Sequence, residues 1–138
     1  MYYMSTPVAV RFDETLLSEV RRIAKRRTTS VSSVIQTFTE EGVRTQQVPG
    51  IQFRDGPAGR RAGVAGSLDV WEIIDVARQL GSTDPAIVAS ALDLPVRVVL
   101  IAFDYYSRFP KEIDEWIADN EEEAERAHDA LLRKQALT

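Results

Sequence analysis

The chain has 138 residues and a mass of 15.5 kDa, and 44% of its side chains are hydrophobic, enough for one ordinary domain or two very small ones. It contains no cysteine, which excludes disulfide frameworks, thiolate zinc sites and a cysteine nucleophile. The net charge of -4 is unevenly spread: residues 1–48 hold seven basic and five acidic side chains, whereas Lys111 to Asp129 holds nine carboxylates against two basic groups. That asymmetry predicts two modules with different partners.

The first element is Val8-Ala9-Val10-Arg11-Phe12, which alternates like a β-strand although no second strand follows it. Asp13 is placed as an N-cap, and Leu16, Leu17, Val20, Ile23 and Ala24 recur at helical spacing, so an amphipathic helix of about four turns follows. Thr28, Thr29 and Ser30 break it and offer a new N-cap. Val31, Val34, Ile35 and Phe38 then mark a second helix running to about Gly42 or Val43.

One strand and two amphipathic helices cannot close a core alone, because apolar faces and a backbone edge stay open. Two copies of the strand paired antiparallel about a two-fold axis repair both faults. Val8, Val10 and Phe12 then face the helices, and Leu17, Val20, Val34, Ile35 and Phe38 complete the dimer core. Pro7, Ala9 and Arg11 look outward.

The run VAVRFDETLLSEVRRIAKRRTTSVSSVIQ resembles the ribbon-helix-helix family of DNA-binding proteins. The resemblance implies a homodimer whose ribbon enters the major groove of operator DNA, with Pro7, Ala9 and Arg11 toward the bases. Of these only Arg11 has hydrogen-bonding reach, its fork suiting guanine, while Ala9 suits a thymine methyl. Pro7 and Ala9 depart from the polar residues more usual in the family. The resemblance also implies a phosphate anchor at the start of the second helix, here Thr29, Ser30 and Ser32, with Lys25 and Arg27 adding salt-sensitive attraction. Taken singly, a Ser/Thr-rich cap and a Lys-Arg-Arg run also fit a solvated helix face; their joint order favours the DNA reading.

Gln46 to Gly50 reads as a linker, placing a boundary near residue 48 and dividing the chain into 1–48 and 49–138. Ile51–Arg54 and Arg60–Val64 flank turn residues and predict a hairpin. Ser67 as N-cap, Gly81 as stop, Asp84-Pro85 and Leu94-Pro95 predict three helices in helix-turn-helix order, and Pro110 starts a fourth. The third of these, Val96 to Tyr106, is apolar nearly all round with one Arg and one Asp, so it is a core element or a protein interface and not a recognition helix. The expected fold is therefore mainly α: a ribbon-helix-helix, then a hairpin and a helix-turn-helix-like module with an acidic C-terminal helix.

The segments FRDGPAGRRAGVAGSLDVWEII and VLIAFDYYSRFPKEIDEWI resemble a small antitoxin domain found opposite PIN-like ribonuclease toxins. Joined to a ribbon-helix-helix module, this is the VapB-like arrangement, and it implies an autorepressor that neutralises its toxin by direct binding. Arg60 and Arg61 are candidates to enter the toxin's acidic metal groove, and Tyr105, Tyr106, Phe109 and Trp116 are candidate aromatic anchors. Alternatively the acidic tail covers a basic RNA-binding rim, the arginines are solvent-exposed, and the aromatics fill the module's own core. The runner-up reading is a stand-alone regulator whose second module oligomerises or senses a ligand.

No catalytic site is expected: the one histidine, His128, has no evident companion, and no nucleotide-binding loop or metal-ligand motif is present, so neither cofactor nor metal is predicted. The longest apolar run, Val98 to Phe103, is too short to span a bilayer and Met1–Met4 lacks a secretion signal, which predicts a cytoplasmic protein without a membrane partner.

Overall fold

A computed structural model describes residues 5–137. It is mainly helical with one two-stranded antiparallel sheet, and the chain divides into two compact units, Met1–Val43 and Arg44–Thr138.

In the first unit, α1 (Glu14–Arg27) begins where the Asp13 carboxylate accepts the Leu16 N–H at 2.8 Å. It ends at Thr28, whose left-handed backbone (φ 53°) turns the chain toward α2 (Val31–Gln47). Ser30 caps α2 by accepting the Ser33 N–H at 3.0 Å. The two helices bury Val20, Ala24 and Val34, with Ile23, Val31, Ile35 and Phe38 packed against them. Two buried valines at roughly 1.5–3 kcal/mol each and one alanine at less make a thin core.

The expected strand Val8–Phe12 is not a strand in the single chain: residues 5–13 have no regular secondary structure. A lone extended segment has no ladder to join. Val8 and Val10 are 78% and 68% exposed, while Phe12 and Leu17 are half-buried. The second helix also runs past Gly42 to Gln47, because its last turn, from Arg44, belongs to the second unit and is held there.

After the last turn of α2 the second unit continues with the expected hairpin, β1 (Ile51–Gly56) and β2 (Gly59–Val64), in the register Ile51 to Val64 and Phe53 to Ala62. Pro57 and Ala58 form its turn, and Gly59 takes a φ of 123° that other residues resist. Then come α3 (Val70–Leu80), α4 (Pro85–Leu92), α5 (Val96–Arg108) and α6 (Pro110–Ala136). The N-cap of α3 is Asp69 and not Ser67, whose N–H instead bonds the Val64 carbonyl in the preceding turn. Likewise Pro95 is the N-cap of α5 and not its first helical residue.

The core joins Ile51, Ala62 and Val64 of the hairpin to Ile73, Val88, Val99, Ala102, Tyr105, Ile113 and Ile117 of the helices. Helix α3 packs on both α5 and α6, and α4 on α5. Beyond Ile117, every described residue of α6 is exposed. No single helix among the described residues is long and apolar enough to cross a membrane.

Candidate functional site

In the first unit, Pro7, Ala9 and Arg11 are exposed on the irregular segment ahead of α1. Thr29, Ser30 and Ser32 are exposed at the start of α2, where backbone N–H groups lack helical partners. The Ser30 hydroxyl is already engaged, accepting from Ser33 N–H and donating to Ser33 Oγ at 2.9 Å, so it serves the cap first. Lys25 is exposed, but Arg27 is half-buried, its guanidinium lying 5.0 Å from the centroid of the Phe38 ring. That cation–π contact draws Arg27 toward the small core.

In the second unit the hairpin arginines meet different fates. Arg60 pairs with Asp55 across the strands at 3.1 Å. Arg61 is bound through Nε to one carboxylate oxygen of Asp69, and Arg54 reaches the other at 3.2 Å. Asp69 is only 4% exposed, so this is a buried carboxylate held between two guanidinium groups. Glycine makes the geometry possible: a Cβ on Gly63 would lie 2.6 Å from Arg54 Cζ, and one on Gly56 would overlap the Arg61 guanidinium. Arg61 thus holds the hairpin to the start of α3.

The aromatic candidates separate in the same way. Tyr105 is fully buried and makes no surface, which corrects its expected role as an anchor. Its hydroxyl donates to Glu112 Oε2 at 2.5 Å and accepts from Arg44 Nη1 at 2.9 Å. Burial pushes this hydroxyl above the ordinary tyrosine range, and the hydrogen bond to Glu112 adds to the shift. Arg44 also donates to Glu112 Oε1 at 2.6 Å and lies 4.3 Å from the centroid of the Phe109 ring. Burial opposes the Arg44 charge, yet the bonds to Glu112 and Tyr105 outweigh it and raise its pKa. Phe109 stacks at 4.8 Å on Tyr105 and is half-buried.

Tyr106 and Trp116 remain partly exposed. Tyr106 donates to Asp114 at 2.7 Å and accepts from Arg78 at 2.9 Å, beside a cleft of about 430 Å³ walled by Ile74, Ala77 and Phe103. Trp116 stands with Trp71 in a second groove, of about 400 Å³, between the hairpin turn, the start of α3 and the N-terminal half of α6. Trp71, Asp69 and Glu112 were missed as site residues. The signal for the first was present, since Trp71 and Glu72 follow a capping Asp, but nothing local shows which face an indole takes. Among the described residues, no group of three or more His, Asp or Glu side chains converges as a metal site.

Compared with protein-family models, curated proteins and solved structures, the chain has no match.

Proposed function

We propose that the chain is a DNA-binding antitoxin that represses its own operon as a dimer and neutralises a PIN-like ribonuclease toxin by direct binding. The observation that carries this reading is the exposure of Val8 (78%) and Val10 (68%) on an unpaired segment beside a core of three buried residues. A second copy of the segment supplies the missing backbone partners and covers the valines, and the helices of both copies form one larger core. Pro7, Ala9 and Arg11 then line the outer face for the major groove, and the exposed start of α2 supplies N–H groups for phosphate. The resemblances of both segments support the same assignment, in which the protein acts in the cytoplasm by binding alone, without cofactor or metal.

Co-expression with the product of the adjoining gene tests it. A stable complex with a small acidic-site nuclease, together with salt-sensitive binding to DNA upstream of the operon, is expected; a neighbour of another kind, or no complex, overturns it.

The apolar cleft of about 430 Å³ under the turn from α3 to α4 favours a second reading, a stand-alone regulator with a ligand-sensing module. Operator binding that responds to an apolar small molecule, with no toxin partner, decides for it.

A further inference from the structure

The chain has two tryptophans, and both line the same groove of the second unit. Trp71 opens α3. Trp116 comes from α6, beside Gly59 at the start of β2, whose Cβ would lie 3.9 Å from the indole. Trp116, Asp119, Asn120 and Glu123 follow at three- and four-residue spacing, so they share one helix face and all line the groove. Four carboxylates line it, but Asp69 is already held between Arg54 and Arg61 and Glu72 accepts the Asp69 N–H, so Asp119 and Glu123 are the acidic groups left to face it. Among the described residues neither Asp119 nor Glu123 has a hydrogen-bond or ion-pair partner, and neither indole N–H has an acceptor.

We infer that this groove docks an arginine-bearing segment of a partner protein. A guanidinium stacks on an indole face and presents several donors to carboxylates, whereas a lysine offers a compact, strongly hydrated charge. The free indole N–H groups suit backbone carbonyls of the same segment, and the groove has room for a long side chain with its flanking backbone. Among the described residues the carboxylates form no group of three or more that could hold a metal ion, so the cation inferred here is an organic one. The inference rests on the proposed partner-binding role of the second unit and gives it a location: the acidic face of α6 with the two tryptophans, not the hairpin arginines.

Because both tryptophans line the groove, their fluorescence reports its occupation without a label. The full chain is titrated with a blocked diarginine peptide, then with the dilysine and diglutamate counterparts. The diarginine peptide is expected to give a saturable fluorescence change, dilysine a weaker one and diglutamate none. Asp119→Asn combined with Glu123→Gln is expected to weaken diarginine binding at least roughly ten-fold, with an unchanged circular dichroism spectrum. No saturable change, an equal response to diglutamate, or a response untouched by the double substitution overturns the inference. A fluorescence change on concentrating the protein alone also overturns it, since the groove would then hold another copy of this chain. Peptide binding without a toxin complex leaves the groove standing and removes the antitoxin reading; a complex without peptide binding removes only the groove.

Discussion

Arg44 and Glu112 are 68 residues apart in sequence, yet Arg44 Nη1 lies 2.6 Å from Glu112 Oε1, joining the last turn of α2 to the first turn of α6. The same guanidinium covers Phe109 and bonds the buried Tyr105 hydroxyl. Arg44→Ala leaves a carboxylate and a phenol without their donor and is expected to lower unfolding free energy by about 2–4 kcal/mol in urea titration. Arg44→Lys keeps the charge but loses the planar fork, and should fall between the two. A loss below about 0.5 kcal/mol for the alanine variant would show that the bond contributes nothing net.

Asp69 is expected to be the most sensitive single position of the hairpin. Asp69→Ala leaves Arg54 and Arg61 facing each other without their shared anion, at a cost of about 3–5 kcal/mol. Gly63→Ala acts on the same contact from the other side, by displacing Arg54, and should also destabilise. Arg60→Ala, whose partner Asp55 is exposed, should cost less than about 1 kcal/mol. Equal losses for Arg60→Ala and Asp69→Ala in thermal unfolding would contradict this division of roles.

The raised Tyr105 pKa predicts an alkaline limit to stability. The folded state favours the neutral phenol, so this contribution is complete below the unfolded pKa near 10 and is lost as pH rises from there through the higher folded value. Unfolding free energies measured between about pH 8 and pH 11 should therefore converge for the native chain and Tyr105→Phe at the alkaline end. A constant gap over that range would show that Tyr105 does not titrate differently on folding.

In the first unit, the proposed DNA mode predicts that Arg11→Ala abolishes operator binding while the dimer persists, because in that mode the exposed side chain faces the bases and buries nothing. Val10→Asp is expected to remove the dimer itself by placing an unpaired charge under the ribbon. Sedimentation velocity and a DNA mobility shift on each variant check both; a monomeric native chain, or unchanged DNA binding by Arg11→Ala, takes the ribbon out of the proposal.

Local signals served well where the cause was local. The caps at Asp13, Ser30 and Asp84, the proline starts at Pro85 and Pro110, and the stop at Gly81 act within a few residues of themselves, and the helices and hairpin follow them. The misses have a different origin. Ser67 and Asp69 are both capping residue types two positions apart, and the choice falls to Asp69, which also meets Arg54 and Arg61 from the hairpin. Tyr105 and Tyr106 are neighbours of identical chemistry, one fully buried against Arg44 and Glu112 and the other at the rim of a cleft. No local rule separates them, since one helical step of about 100° turns one inward and the other aside.

The sequence by itself determined the order of the helices and the hairpin, the mainly helical class and an apolar segment ahead of the first helix with no partner strand in the chain, because periodicity and capping are short-range effects. Only the tertiary structure decided which charged and aromatic side chains serve the fold and which face outward. Arg61 is bound to Asp69 and Tyr105 sits under Arg44, while Trp71 and Trp116, 45 positions apart, line one groove beside unpartnered carboxylates. Those assignments depend on contacts between distant segments, where burial makes an ion pair obligatory and exposure leaves a carboxylate free to meet a partner.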